Sequence, residues 1–435
     1  MPRISIAALI MKANIKNNII VSSKANASVA AWAVAAYFLT FSVDSSVDVS
    51  LLVLMAGAVW MQFDGKSRQV KFNSVDALVI GFVIVLLFCA LLSESIQKSF
   101  ILSAAFVPAL LLYYLIRHCR GDSDFNVVLS SLLIQVIGLA VLLVYKATTE
   151  DLLPADLVKQ IGSSILIVPN DVAFLVLAIP LFLALHETSR NRAISAAVGI
   201  SIILIAVAVI SLQSRLALLT GGLSISCYYL SRSRRISAMS VLSVIAVIVL
   251  IDSIFEFALI QKIISFSDSR LPLWYSAWEM FKEKPFLGFG PHTFGEFYQA
   301  YFVYAGFAEN IVVDNRHTPW PHNLYLELLA EYGLLGFTAF FAIVAVVVRQ
   351  LLRRVPKKDD DWLAVNSGLL AAFTGFLFAA FFELTLLRLW VVVFMFALLG
   401  FSALMLEQGM PAKVKENSIR KPLKIKNRSR TVSSV

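Results

Sequence analysis

The chain has 435 residues, of which 59% are hydrophobic and 15% charged, with a formal net charge of +9. Soluble domains average about 45–50% apolar and about 25% charged residues, so the composition excludes a soluble globular protein and indicates an integral membrane protein. In such a protein, positive charge reports which side of the membrane a segment faces rather than affinity for nucleic acid, and no nucleic-acid partner is expected.

Residues 1–26 carry charges but no apolar core followed by a small-residue cleavage site, so no cleaved signal peptide is expected there. Beyond them, apolar runs predict an all-α, polytopic membrane protein of about twelve transmembrane helices. The spans fall near 27–43, 47–62, 75–92, 97–116, 125–145, 168–186, 193–211, 214–230, 236–254, 323–348, 362–382 and 387–406. Cys89 and Cys227 fall inside spans and Cys119 in a turn, so no disulfide is expected. No Cys/His spacing reads as a metal site, and none is expected. There is no internal repeat of the kind that two-fold transporters carry.

Span eight opens with Ser211-Leu-Gln-Ser214-Arg215. Ser211 or Ser214 is placed to cap the helix, and Arg215 stands in its first turn. An arginine just inside the bilayer costs on the order of 3 kcal/mol by insertion scales. Free helix N–H groups beside a guanidinium make a phosphate site. The alternative is an arginine that snorkels to the headgroups.

Residues 255–322 form a long connection between spans nine and ten. Arg270 stands in Ser267-Asp268-Ser269-Arg270, before a helix opened by Leu271-Pro272. It reads either as a second phosphate clamp or as the partner of Asp268. In that helix Trp274, Trp278 and Phe281 recur at i, i+4 and i+7, the pattern of an amphipathic helix at the membrane surface. Lys282, Glu283 and Lys284 close it, Pro285 ends it, and Gly288 and Gly290 predict a turn. An aromatic stretch from Phe294 to Tyr304 follows, and residues 306–321 read as irregular.

Span ten begins Pro319-Trp320-Pro321-His322-Asn323. The prolines hold the approach extended and place a polar pair at the mouth of an apolar helix. Histidine accepts a proton at neutral pH, so His322 is the first candidate for chemistry. Of the other four histidines, His118 and His186 fall on the cytosolic side, and His292 and His317 on the outer side. Asn323, Glu327 and Glu331 continue one face below His322, either to orient it, to act as rival bases or to pack against other segments.

An even span count puts both termini on one side. With the termini cytosolic, 27 of the 37 lysines and arginines fall in cytosolic segments, the bias that the positive-inside rule requires. The expected organisation is a cytosolic segment 1–26, spans one to nine over 27–254, an outer loop with surface helices over 255–322, spans ten to twelve over 323–406, and a basic cytosolic tail 407–435. The tail lacks apolar periodicity and suits contact with anionic membrane lipids.

These motifs together resemble the O-antigen ligase and polymerase superfamily. His322-Asn323, nine residues, Gly333, two residues and Gly336 is similar to its H[NSQ]-x9-G-x-x-[GTY] signature. Arg215-x3-Leu219 is similar to the arginine motif of the ligases, and Arg270, Trp274, Trp278, Pro285, Gly288 and Gly290 to the superfamily's loop pattern. The resemblance implies a bacterial inner-membrane glycosyltransferase with cytosolic termini and a periplasmic loop. It implies transfer of a glycan from undecaprenyl diphosphate to an acceptor hydroxyl, on lipid A core or on another glycan, without metal or nucleotide cofactor. By the same resemblance, Arg215 and Arg270 hold the diphosphate and His322 serves the acceptor, with Asn323, Glu327 and Trp274 as supporting residues. Gly333-Leu-Leu-Gly336 is not followed by the tyrosine that the stricter ligase form prefers, so ligase and polymerase both stay open. The rival of another class is a lipid-linked glycan transporter or flippase, against which stand the long outer loop and the short connection at 187–193. A protein O-glycosylating relative is expected to carry a further C-terminal region.

Overall fold

The computed structural model describes residues 27–41, 47–63, 70–104, 106–120, 122–149, 169–189, 191–232, 270–302, 320–353 and 360–408. Span nine, most of residues 146–167, His317, residues 306–319 and most of both terminal segments lie outside the described residues. Helices joined by short turns, with no strand, make up the described residues. The elements are α1 (Val29–Thr40), α2 (Val47–Phe63), α3 (Ser74–Leu91), α4 (Ile96–Ser103), α5 (Phe106–Arg117), α6 (Asp122–Thr149), a 3-10 turn (Pro169–Val172), α7 (Ala173–Thr188), α8 (Arg192–Ser211), α9 (Arg215–Arg232), α10 (Leu271–Glu283), α11 (Phe294–Phe302), α12 (Leu324–Arg353), α13 (Asp360–Ala380) and α14 (Leu389–Gln408).

Eight helical segments are long and apolar enough to cross a membrane, and α1 and residues 49–63 of α2 are shorter apolar helices. Eight of the expected twelve spans qualify by length and hydropathy among the described residues, and span nine lies outside them. The predicted span 97–116 divides into α4 and α5.

The bundle has a centre and a periphery. The apolar window of α14 is 89% buried and that of α8 only 28%, so α14 is enclosed by protein while α8 offers its surface to lipid. Around α14, helix α13 packs on α7 and α9, α5 packs on α14 itself, and α12 packs on α3. The core is built from Val, Leu, Phe and Ala side chains, including Phe174, Phe376 and Trp390.

Helix α12 is not straight. Gly333 has φ 59° and ψ −162°, outside helical geometry. Tyr325 and Phe341 lie sixteen positions apart, about 24 Å along a straight helix, yet their ring centroids are 5.6 Å apart. The segment before Gly333 therefore folds back over the segment after it. The predicted tenth span is in fact a short arm of about two turns followed by a membrane-length helix.

Each end of α14 carries a buried polar cluster, the two separated by about 30 Å of helix. At its C-terminal end, Arg117 donates to Asp76 through Nε at 2.8 Å and Nη2 at 2.9 Å, to Glu407 at 2.9 Å and to the Lys71 carbonyl at 2.9 Å. Tyr113 donates to the same Asp76 at 2.5 Å. This cluster ties α3, α5 and α14 together. Replacing one member of a buried ion pair leaves the other charge uncompensated, at a cost of about 3–5 kcal/mol. Arg117→Leu is therefore expected to lower the unfolding temperature in detergent markedly more than Arg353→Leu, a change at an exposed helix end, and a thermal scan of the two variants checks it.

Candidate active site

The opposite end of α14 gathers most of the charged residues at issue. Its approach from the N-terminal side of α12 is set by sequence. Asn323 caps the helix, its Oδ1 accepting from the Tyr325 and Leu326 N–H groups at 3.0 and 3.1 Å. His322, immediately before the cap, has φ 54°. This left-handed backbone costs a non-glycine residue roughly 1–2 kcal/mol. The turn brings the His322 ring against the connection between α13 and α14.

The group it meets is Glu383, whose side chain is 1% exposed. His322 Nδ1 lies 3.0 Å from Glu383 Oε2. The same oxygen accepts from Arg270 Nη2 at 3.2 Å and from Asn170 Nδ2 at 3.1 Å. Glu383 Oε1 accepts from Arg388 Nη2 at 3.2 Å. Arg388 also pairs with Asp171, which accepts a further bond from Trp390 Nε1 at 3.0 Å. Four stretches far apart in sequence therefore meet at one carboxylate and its neighbours: 170–171, 270, 320–322 and 383–390. Burial alone would raise the Glu383 pKa. The His322 hydrogen bond and the charges of Arg388 and Arg270 outweigh it and hold the carboxyl below the usual range, so Glu383 is an anion at neutral pH.

An ionised carboxylate only accepts, so the Nδ1 proton belongs to His322 and the lone pair to Nε2. Trp320 Nε1 lies 3.3 Å from the same Nδ1. A nitrogen that donates cannot also accept, and the shorter, charge-assisted carboxylate contact prevails. His322 keeps 24% exposure and Arg270 25%, whereas Arg388 keeps 2%. A ligand thus has access to His322 and Arg270, while Arg388 belongs to the interior.

The other predicted residues fall differently. Glu327 and Glu331 do not approach His322. Glu327 Oε1 accepts from the Leu386 N–H at 2.9 Å, and Glu331 accepts from the His292 and Phe294 N–H groups at 2.7 and 2.9 Å. They are backbone anchors, and the carboxylate at His322 is Glu383 instead. Arg270 pairs with Glu383; the alternative partner Asp268 lies outside the described residues. Arg215 begins α9, with Ser214 Oγ 3.4 Å from the Ala217 N–H. Helix α9 packs against the 3-10 turn that carries Asn170 and Asp171, so Arg215 stands at the same end of the bundle. No described hydrogen bond or ion pair joins it to the cluster. Trp274 packs edge-on against Phe381, two residues from Glu383, with centroids 5.5 Å apart. The Trp274-Trp278-Phe281 stripe is not the buried face of α10. Leu273, Ala277 and Met280 are buried, and Trp278 is exposed.

The glycines of the motif have a structural task. The kink at Gly333 opens the backbone of α12, and the turn after α10 fills the gap. The Phe289 and Gly290 N–H groups donate to the Ala330 and Glu331 carbonyls at 3.0 and 2.9 Å, while the Leu334 and Leu335 N–H groups donate to the Pro285 and Phe286 carbonyls at 2.8 and 3.2 Å. A Cβ on Gly333 would stand 2.4 Å from the Phe286 carbonyl carbon, and one on Gly288 would stand 2.4 Å from that of Glu331. The loop helix that follows Arg270 and the arm that follows His322 are thereby fastened backbone to backbone.

Among the described residues, no group of three His, Cys, Asp or Glu side chains forms a metal-ligand set. The three cysteines are free. Glu383, Arg388, Asn170 and Asp171 were not among the candidates read from sequence. Their signal was a Glu and an Arg five apart in the short connection between two spans, and an Asn-Asp pair opening another.

Residues 172–341 match the family model of the O-antigen ligases. This chain carries an O-antigen ligase domain. The match takes in Arg215, Arg270, His322, Gly333 and Gly336. It begins just after Asn170 and Asp171, and ends before Glu383 and Arg388. No curated protein matches the sequence. The family's members are membrane glycosyltransferase-like enzymes, and the match covers this segment of the chain.

His292 offers a test of the site's surroundings. Its ring is buried without a hydrogen-bond partner among the described residues. Burial, helped by the charge of Lys98, pushes its pKa down to about 4. The unfolded chain takes up that proton near pH 6.5 and the folded chain only near 4. The native state therefore keeps its full stability above pH 6.5 and loses about 3 kcal/mol of it as pH falls to 4. In His292→Asn, which tolerates the left-handed backbone, the unfolding temperature is expected to fall less between pH 6.5 and 4, as thermal scans at the two pH values will measure.

Proposed function

We propose that this protein is an O-antigen ligase-type glycosyltransferase. It moves a glycan from undecaprenyl diphosphate to an acceptor hydroxyl, with lipid A core as the favoured acceptor, at the periplasmic face of the bacterial inner membrane. The observation that carries the reading is the 3.0 Å contact of His322 Nδ1 with the buried Glu383, on the oxygen that also receives Arg270. This arrangement leaves His322 Nε2 as the acceptor of a proton and keeps a cation beside it. The charge distribution supports a periplasmic location for the His322 end of the bundle.

In this mechanism the acceptor hydroxyl oxygen attacks the anomeric carbon of the lipid-linked sugar. The bond from that carbon to the phosphate oxygen breaks, and undecaprenyl diphosphate leaves with the electron pair. The hydroxyl proton passes to His322 Nε2. Glu383 fixes the ring in the tautomer that can receive it and stabilises the imidazolium that forms, as a carboxylate does for histidine in acyl-transfer sites. Arg270, one N–H held by Glu383, and Arg215, at the N-terminus of α9, supply charge to the leaving diphosphate. The donor arrives already activated, so the reaction needs no nucleotide. A polymerase that transfers a growing chain to the next lipid-linked repeat uses the same donor and the same residues; the missing tyrosine after Gly336 leaves both readings open.

The test is turnover of purified lipid-linked donor by protein in vesicles, with EDTA present. His322→Ala is expected to lose about 10²–10⁴-fold, the range of general base catalysis. His322→Gln should recover part of this if orientation counts as well as basicity. Normal turnover by His322→Ala would overturn the assignment, and restoration of EDTA-inhibited activity by a divalent ion would show a metal requirement. Lipid A core or a second lipid-linked repeat offered as acceptor decides ligase against polymerase.

Arg215→Ala and Arg270→Ala are expected to accumulate normally but to lose transfer. Lysine at either position should rescue only in part, because it lacks the bidentate fork. Wild-type glycan ladders from Arg215→Ala cells would remove that residue from the diphosphate site.

A further inference from the structure

Arg388 is the arginine of this cluster that neither the sequence motifs nor the family match includes. A third arginine beside two proposed phosphate ligands invites assignment to the same task. The geometry points elsewhere: we propose that Arg388 is a positioning residue that holds His322 by two routes and does not bind the donor. The inference rests on the function proposed above.

Three observations carry it. First, the Arg388 side chain is 2% exposed, against 25% for Arg270, so a diphosphate has no approach to it. Second, its charge is already used. One arm of the guanidinium pairs with Asp171, which is fully buried and fixed by Trp390 Nε1 at 3.0 Å, and the other reaches Glu383 Oε1 at 3.2 Å. Glu383 Oε2 in turn faces His322 at 3.0 Å. Third, the guanidinium carbon lies over the Trp320 ring, 4.6 Å from its centroid. The Trp320 and His322 ring centroids are 5.3 Å apart. Arg388 thus acts on His322 through the carboxylate on one side and through the indole on the other. Only arginine combines a fork for two carboxylates with a planar face for an aromatic ring, so lysine does not substitute.

The charged and hydrogen-bonding groups that bear on His322 can be named. Glu383 and Trp320 face Nδ1; Arg270, Asn170 and Arg388 face Glu383; Asp171 stands behind Arg388; and Glu327 lies under the same turn through the Leu386 N–H. Taking the Arg388 charge away leaves Glu383 with fewer counter-charges. Its attraction for an imidazolium then grows.

Two measurements on the full-length protein in vesicles test this. The first compares steady-state kinetics on the lipid-linked donor. Arg388→Lys is expected to lower kcat on the order of 10²-fold, as a small displacement of a reacting group does, with the donor KM within about twofold, whereas Arg215→Ala raises the donor KM. A donor KM that rises in Arg388→Lys as it does in Arg215→Ala would make Arg388 a phosphate ligand and overturn the proposal. The second needs no donor: diethyl pyrocarbonate modification of His322, followed by peptide mass spectrometry across pH. Asp171→Asn combined with Arg388→Met keeps the buried charge balanced and so protects folding. In it, His322 modification at pH 7 should slow several-fold and its pH profile should change. An unchanged profile would overturn the proposal. Should the wild-type protein fail to turn over lipid-linked donor, the glycosyltransferase reading falls, while the modification profile still decides whether Arg388 positions His322.

Discussion

A carboxylate with 1% exposure stays ionised only where positive groups and N–H donors replace the water it has lost. Glu383 meets that condition by drawing Asn170, Arg270, His322 and Arg388 to its two oxygens. The demand runs both ways. Arg388, equally buried, needs a second anion and finds it in Asp171. The formal charges of Glu383 and Asp171 against Arg270 and Arg388 then cancel, with His322 neutral. Each member is where it is because another would otherwise be an unpaired charge in a low-dielectric interior, so the ends of α7, α12, α13 and α14 and the start of the loop helix are fixed relative to one another.

The second constraint is the kink at Gly333. A membrane-length helix satisfies its own backbone, and a break in it exposes N–H and carbonyl groups that lipid cannot satisfy. Here the turn from Pro285 to Gly290 supplies the partners, two carbonyls followed by two N–H groups. The break therefore attaches the loop to the helix. It also folds the His322 arm back so that Tyr325 meets Phe341, and so places His322 beside the α13–α14 connection. The motif glycines act on the site through this junction, since none of them touches the cluster with a side chain.

The two polar clusters at the ends of α14 use the same physics for different ends. The Arg117 cluster is closed on itself and couples helices. The Glu383 cluster is closed on the Arg388 side and open on the His322 and Arg270 side, where a quarter of each side chain is exposed. That asymmetry is what a site for a charged, lipid-linked substrate requires: an interior half that holds geometry and an exposed half that meets the ligand.

Composition and hydropathy by themselves determined a helical membrane protein, because burial of backbone in lipid admits few alternatives and apolar runs advertise it. The spacing from His322 to Gly333 and Gly336, with Arg215 and Arg270 before it, was enough to point to the O-antigen ligases, and the family match over 172–341 agrees. The helix start at His322-Asn323 and the turn at Gly288 and Gly290 were also legible, since both are local. The partner of His322 was not. Helical spacing offered Glu327, one turn below, but the left-handed backbone at His322 and the fold-back at Gly333 turn the ring toward another segment. Glu383 lies 61 residues along the chain, at the end of a span, where a lone carboxylate looks like a polar boundary. Likewise Arg388, Asn170 and Asp171 read as residues flanking spans until the helices are packed. Local sequence sets helices, caps and turns, while compensation of buried charge is a property of which helix ends meet, and only the tertiary structure decides that.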